Sequence, residues 1–259
     1  MLRNRLAEIL AERKLRISRV ANDIPDLSRN TITSVAQNDG KMIQLNTINL
    51  LCQYLEISPS EFFEYLPFDI SFTAEPHGEI SKFTNDDFGT SINTIDISNL
   101  EFEGFLKKVA VNESLGYNEK TYDLTIRQTS FAKSDDPFEL HGYTLIFDVL
   151  LGASDNTEIF SKTKDKFNEL WNSNLTDGFK SIIKEIITSE INNKLMNEFS
   201  DIQFLFESIK DKSIKIDTKF NFSFEDAYSE DIQAGNITVI LNKQKNNSSI
   251  DISDDDLPF

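Results

Sequence analysis

Apolar residues recur at helical spacing through the first quarter of the chain. Leu2, Leu6, Ile9 and Leu10 form the first such stripe, and the pattern predicts that residues 2–66 are helical throughout. Serine at a helix start can accept a backbone N–H bond, and proline fits the first helical position, so both mark boundaries. The helices predicted after the first span residues 17–23, 29 to about 38 behind a Ser28 cap, 46 or 47 to 55, and 59–66 behind a Ser58 cap.

From residue 68 onward the chain changes to an alternation of apolar and polar residues, which is typical of strands with one buried face. The predicted strands are 69–73, 92–97, 100–105, 121–127, 142–151, 214–224 and 236–241. Two helices are predicted between the strands 142–151 and 214–224, one at 157–171 and one from Phe179 to Phe199. The second has one wide apolar face, which predicts that it covers the sheet, with a dimer seam as the alternative.

The order of helices in the first 67 residues resembles a known DNA-binding unit. A short helix containing Ile17-Ser18-Arg19-Val20-Ala21 is followed by a turn and by the Ser28-capped segment Thr31-Ile32-Thr33-Ser34-Val35, and residues 47–63 close the unit. These segments resemble the lambda-repressor/Cro (XRE-type) helix-turn-helix domain. The resemblance implies a repressor of phage, prophage or mobile-element type.

The fold class predicted for the whole chain is α+β. Residues 1–67 are predicted to form a five-helix helix-turn-helix DNA-binding domain. Residues 68–241 are predicted to form a mixed antiparallel-sheet domain with long helices, which would sense a signal or dimerise. Residues 242–259 are predicted to be a flexible linker and acidic tail, because residues 242–249 are polar and contain nothing to bury.

The resemblance also implies which residues contact DNA, because the second helix of such a unit reads the major groove and the first crosses the phosphates. Arg29 can bond a guanine bidentately and Asn30 an adenine. Ile32 and Val35 should face the core. The predicted DNA contacts are Arg16, Ser18, Arg19, Ser28, Arg29, Asn30, Thr31, Thr33, Ser34, Gln37 and Lys41.

The charge is distributed unevenly along the chain. The formal net charge is −17, but residues 1–45 contain 8 basic and 5 acidic residues, a net +3, so the remainder carries −20. An acidic body repels phosphate backbones. Any nucleic acid is therefore expected to bind at the N-terminal end, as a double-stranded operator. A homodimer on a near-palindromic site is expected, because one such domain makes few base contacts.

The end of the chain resembles the tail tip of bacterial single-stranded-DNA-binding protein (SSB). Acidic residues lead into an apolar Leu-Pro-Phe, and such an end offers a ring, a carboxylate and acids to a partner. The resemblance implies docking of an SSB-tail-binding protein such as a recombinase, helicase or nuclease; the alternative is a solubilising charge run. The predicted docking residues are Asp254, Asp255, Asp256, Leu257, Pro258 and Phe259.

Other classes of protein find little support in the sequence. His77 and His141 are isolated, no Gly-rich phosphate loop occurs, and the one cysteine, Cys52, lies in a helical apolar stripe. No enzyme activity, metal or cofactor is expected. The sequence has no apolar run of about 18 residues, so no membrane-spanning helix is expected. Charges near Met1 disfavour a signal peptide, and a cytoplasmic location is therefore expected.

Two functions therefore remain open. The first is a transcriptional repressor regulated by a protein partner. The second is an interaction or decoy protein that competes with host SSB for its partners, with DNA binding used only for autoregulation or anchoring. The two functions are distinguished by disabling the N-terminal domain and the tail in separate variants and asking which change abolishes the biological effect.

Overall fold

The computed structural model describes residues 1–38, 42–78, 82–85, 92–97, 100–112, 116–133, 142–152, 157–208, 215–224 and 237–240. The architecture of these residues is α+β, with a helical N-terminal region followed by a β-sheet region. Lys41, His141 and the whole predicted tail over 242–259 lie outside the described residues.

Short helices build the N-terminal region around one apolar core. They are α1 (Leu6–Glu12), α2 (Ile17–Asp23), α3 (Arg29–Gln37), α4 (Leu45–Leu55) and α5 (Pro59–Phe62). The buried core consists of Leu6, Ile9, Leu10, Val20, Ile24, Leu27, Ile32, Val35, Leu51, Cys52, Leu55 and Phe62. The predicted burial of Ile32, Val35 and Cys52 is thereby confirmed, which leaves the opposite side of α3 to face solvent.

Two predicted caps set helix starts in this region. The Ser28 hydroxyl accepts the Thr31 backbone N–H at 3.0 Å, so α3 starts where the sequence predicts. The Ser58 hydroxyl accepts the Glu61 N–H, and the Glu61 carboxylate accepts the Ser58 N–H, which completes a capping box with Pro59 in the first turn.

The prediction that residues 2–66 are helical throughout is wrong at both ends. Leu2–Asn4 forms β1 and pairs antiparallel with β2, Phe63–Tyr65, in a register that sets Arg3 opposite Glu64. Leu2 is 65% exposed, so it does not extend the apolar stripe of α1. The Asn4 side chain instead accepts the Leu6 N–H at 3.0 Å, which helps to end the strand and start the helix.

The β-sheet region differs from the prediction mainly in three strands that run longer, those beginning at residues 69, 101 and 116, and in one strand at residues 82–85 that the sequence analysis did not predict. The strands of this region are β3 (Asp69–Pro76), β4 (Lys82–Asn85), β5 (Ile92–Ile97), β6 (Glu101–Asn112), β7 (Gly116–Lys133), β8 (Gly142–Leu151), β9 (Lys215–Phe222) and β10 (Ile237–Ile240). One sheet has the order β3-β6-β7-β8-β9 and a second the order β10-β5-β4. Within the first of these sheets β7 and β8 pair antiparallel, whereas β8 and β9 are parallel, so that sheet is not purely antiparallel.

Helices fill the long connection that a parallel strand pair requires. Between β8 and β9 lie α6 (Thr157–Asn168), a π-helical segment (Glu169–Asn174) and α7 (Asp177–Ser208). The predicted apolar stripe of α7 is buried at Phe179, Ile183, Ile187, Ile191 and Leu195. None of the helices in the described ranges has the length and apolarity to cross a membrane.

The chain divides into two compact units. The first comprises Met1–Thr73, Phe105–Tyr122 and Ser154–Ile187, so it joins the N-terminal helices to the beginning of α7. Its aromatic contacts include Tyr122 edge-on to Phe167 at 5.3 Å. The second comprises Ala74–Gly104, Asp123–Ala153 and Thr188–Phe259, and within it Phe147 stacks on Phe220 at 5.3 Å.

Candidate nucleic-acid interface

The side of α3 that faces away from the core carries a row of polar side chains. Asn30, Thr33, Ser34 and Gln37 are spaced i, i+3, i+4 and i+7, which places them on one face of the helix. Thr33 is half-buried and the other three are exposed. A major groove admits an α-helix, and its base edges carry the donors and acceptors that such a row of side chains can bond.

The N-terminal turn of α3 is preorganised by its cap. The hydroxyls of Ser28 and Thr31 lie 2.8 Å apart, and the Thr33 hydroxyl donates to the Arg29 carbonyl at 2.9 Å. These hydroxyls fix the local backbone, while the exposed Arg29 and Asn30 side chains extend from the same turn. The helix therefore presents Arg29 and Asn30, two side chains that can bond a base bidentately, at its N-terminal end.

The candidate phosphate contacts lie at the start of α2. Arg16, Ser18 and Arg19 are all exposed. Arg19 lies 3.6 Å from the Asp23 carboxylate, and the Tyr54 hydroxyl donates to that carboxylate at 2.6 Å. The hydrogen bond to Asp23 raises the pKa of Tyr54. Asp23 therefore pairs with both Arg19 and Tyr54, so a phosphate that bound Arg19 would have to compete with this carboxylate.

The Asp23→Asn substitution is expected to strengthen binding to duplex DNA. It removes a negative charge near the DNA and frees Arg19, and an exposed pair of this kind is worth about 0.2–1 kcal/mol, roughly 1.5- to 5-fold in affinity. Titration of a random duplex at low salt measures the change. Glu56→Gln, an exposed acid-to-amide change at the residue that follows α4, serves as the control. Equal affinity of Asp23→Asn and wild type would contradict this competition.

The C-terminal end of α3 is held by a cluster of hydrogen bonds that the sequence analysis did not predict. Asn38 has a left-handed backbone with φ 55°. Its side-chain oxygen accepts the Asn4 backbone N–H at 2.8 Å and the Asn4 side-chain amide at 2.7 Å, and its own amide donates to the Asn4 carbonyl at 3.0 Å. The Asn4 amide also donates to the Val35 carbonyl at 2.8 Å. A helix followed by asparagine is the one sequence signal for this end.

Arg3, which directly precedes Asn4, is a buried cation with two carboxylate partners. Its guanidinium lies 2.7 Å from Glu8 and 2.6 Å from Glu64, and the residue is 7% exposed. Burial alone lowers the pKa of Arg3, but its hydrogen bonds to Glu8 and Glu64 outweigh that effect and raise it. The hydrogen bond from Arg3 holds the pKa of Glu8 below its ordinary value of 4.5.

The Arg3–Glu8 pair predicts a specific loss of stability in acid. A carboxyl group whose pKa is lowered by folding contributes stability above its unfolded pKa, and loses that contribution as the pH falls through the folded value. Unfolding free energies measured from pH 7 to pH 3 are therefore expected to fall less steeply for Glu8→Gln than for the wild type. Parallel curves below pH 4.5 would contradict a lowered Glu8 pKa.

The comparison with known families decides which kind of domain these helices form. Residues 5–67 match the Cro/C1-type HTH DNA-binding domain. The match runs from the residue before α1 through α5, and it confirms the helix-turn-helix resemblance stated for the N-terminal residues. No curated protein and no solved structure matches the chain.

The other sequence-predicted sites are placed as follows. Ten of the eleven predicted DNA contacts are among the residues that the structure describes. The eleventh, Lys41, and the predicted docking residues Asp254 to Phe259 lie outside the described residues. His77 is an exposed surface residue, 3.6 Å from Glu103. Within the described ranges, no three His, Cys, Asp or Glu side chains are grouped so that they could hold a metal ion.

Proposed function

We propose that this chain is a sequence-specific transcriptional repressor, of the phage or mobile-element type, that binds a double-stranded operator through α3. The observation that carries the proposal is the exposed polar row on α3, beside Arg29, within a segment that matches a Cro/C1-type domain. The positive balance of residues 1–45, in a chain of net charge −17, supports DNA contact at this end alone.

Each side chain then has a distinct role in the complex. Arg29 bonds the O6 and N7 atoms of a guanine, and Asn30 bonds the N6 and N7 atoms of an adenine. Arg16 and Arg19 neutralise phosphates, which sets the position of α3 without reading sequence. The capped N-terminus of α3 lies near the phosphate backbone, where its backbone N–H groups favour negative charge.

The functional form is a homodimer. One domain of this size reads only a few base pairs, and specificity grows by roughly 1–3 kcal/mol for each base pair read. Two copies related by a two-fold axis read two half-sites about 34–36 Å apart, one helical turn of DNA. The operator is therefore a near-palindrome.

Selection of binding sites from a pool of random duplexes tests this function. The full chain is expected to enrich one sequence with two inverted half-sites, and the double variant Arg29→Ala with Asn30→Ala is expected to enrich none. Enrichment of no sequence by the wild-type chain, at a salt concentration where it still binds DNA, would overturn the proposal.

The proposal includes regulation by a protein partner that docks on residues 254–259. Support comes from the sequence itself, in which three acidic residues precede Leu257-Pro258-Phe259 as in SSB tails. A regulator must bind the free and DNA-bound forms of the chain with different affinity. Operator binding by the full chain is therefore expected to change when a recombinase, helicase or nuclease that binds SSB tails is added.

Capture from a bacterial lysate tests the docking. The full chain is expected to retain DNA-repair or replication proteins, and the Phe259→Ala variant is expected to lose them. Equal retention by the two chains would refute docking. Retention without any change in operator affinity would refute regulation.

The decoy function is the second candidate, and the acidic body together with the SSB-like end favours it. In that case Phe259→Ala abolishes the biological effect, while Arg29→Ala with Asn30→Ala leaves it intact. A repressor gives the opposite pattern.

A further inference from the structure

Two consecutive residues of β1 are buried although both are polar. Arg3 is 7% exposed and Asn4 is 2% exposed. Burying such groups is costly unless hydrogen bonds compensate for the lost water. Both side chains are extensively bonded, and their partners belong to different parts of the first compact unit. Asn4 binds the end of α3, whereas Arg3 contacts the beginning of α7.

The α7 side of this arrangement is built closely around the Arg3 guanidinium. The central carbon of the guanidinium, Arg3 Cζ, lies 5.4 Å from the centre of the Phe179 ring. Glu64, which binds Arg3, also accepts the Thr176 hydroxyl at 3.0 Å. Gly178 leaves the space that the guanidinium occupies, because a side-chain carbon at that position would overlap it. The turn Thr176–Phe179 therefore meets Arg3 directly at Gly178 and Phe179, and through Glu64 from Thr176.

The α3 side is equally specific. Asn4 makes hydrogen bonds of 2.7–3.0 Å to Asn38 and Val35, and Asn38 directly follows Gln37, the last member of the exposed row. The Arg3 and Asn4 backbones are joined in one short strand, whose register is set by the pairing of Arg3 with Glu64. A shift of the Arg3 side chain and its strand would therefore move the end of α3.

We propose that Arg3 and Asn4 are positioning residues, which make the placement of α3 on DNA depend on the turn Thr176–Phe179 at the start of α7. The inference rests on the proposed function, because it concerns how α3 is set for base reading. α7 lies outside the segment 5–67 that matches the DNA-binding domain, so events in the remainder of the chain can reach base recognition through it.

Base reading and phosphate contact respond differently to such a shift. Bidentate bonds to base edges require a fixed geometry, whereas flexible arginines on phosphates follow a small displacement of the domain. The ratio of operator affinity to random-duplex affinity is therefore the sensitive quantity. The dependence of random-duplex affinity on salt reports the number of phosphates contacted, and it should not change.

The test uses Gly178→Ala in the full chain, with the operator obtained by selection. The variant is expected to lower the operator-to-random ratio at least tenfold and to leave the salt slope on random duplex unchanged. Alanine favours helix more than glycine does, so a weakened α7 is not the cause of this loss. Ser189→Ala, an exposed change on the same helix, serves as the matched control and should keep the ratio.

A pair of Thr176 variants keeps the test decisive if Gly178→Ala does not fold. Thr176→Val loses, at constant volume, the hydrogen bond to Glu64 and the one that the hydroxyl accepts from the Phe179 backbone N–H, and it is expected to lower the ratio. Thr176→Ser keeps the hydroxyl, and this variant is expected to keep the wild-type ratio of operator to random-duplex affinity. A ratio within about twofold of wild type in Thr176→Val, and in Gly178→Ala where it folds, would overturn the proposal.

Hydrogen exchange separates this inference from the proposed function. The Asn4 backbone N–H, which donates to Asn38, is expected to exchange at least tenfold faster in Gly178→Ala or Thr176→Val than in the wild type. If the wild type selects no operator, the proposed function fails, yet faster exchange would still support the coupling. Unchanged exchange in both variants would refute the coupling itself.

Discussion

Replacement of Arg29 by alanine is expected to cost about 1–3 kcal/mol of operator binding, roughly fivefold to more than 100-fold in affinity, while affinity for random duplex changes little. Arg29 is exposed at the first position of α3, and the Ser28 cap fixes the backbone from which it extends. A guanidinium placed there meets one base pair. The loss should therefore appear as relaxed specificity at one operator position.

Binding titrations on the operator, and on variants of each of its base pairs, measure this effect. Arg16→Ala is the matched control, because it also removes one exposed arginine but from α2. It should weaken operator and random duplex alike and reduce the salt slope by about one. If Arg29→Ala behaved in the same way as Arg16→Ala, the base-reading role of Arg29 would be wrong.

The Phe62→Ala variant is expected to lower the free energy of unfolding by about 3–5 kcal/mol, as large-to-small changes of buried aromatic residues do. Phe62 is 0% exposed in the core beneath α3, and its ring meets that of Phe63 edge-on at 5.0 Å. Its carbonyl also accepts the Arg5 backbone N–H at 2.8 Å. The cavity left by alanine would remove contacts from the apolar core that α1, α3, α4 and α5 share.

Urea denaturation followed by circular dichroism measures this loss. Tyr65→Ala serves as the control, because Tyr65 is an aromatic residue three positions away that is 71% exposed. Surface changes of this kind are usually within about 0.5 kcal/mol. A Phe62→Ala chain as stable as Tyr65→Ala would mean that the N-terminal core is not packed as described.

The helical part of the domain was predictable because its signals are local. Ser28 and Ser58 start helices through bonds to residues three positions later, and such caps are legible in sequence. The positions of Ile32 and Val35 on the core side of α3 follow from the 3.6-residue period. The same period assigns Asn30 to the outer face, but its role as a DNA contact was named from the helix-turn-helix resemblance and not from the period.

The remainder depends on contacts between distant residues, which a single sequence does not reveal. Arg3 is buried only because Glu64 and Glu8 accompany it, and Leu2 lies in a strand only because β2 pairs with β1. Asn4 and Asn38 meet across 34 positions of chain. The parallel pairing of β8 with β9 likewise brings together segments about 70 residues apart. No periodicity encodes these pairings.

The most direct test of the account is one pair of affinities, measured with the full chain in the same buffer, for the selected operator and for a random duplex of equal length. A sequence-reading α3 predicts that the operator binds about 10³-fold more tightly or better, and that the advantage falls in Arg29→Ala. Equal affinity for the two duplexes would contradict the claim that this chain recognises DNA sequence.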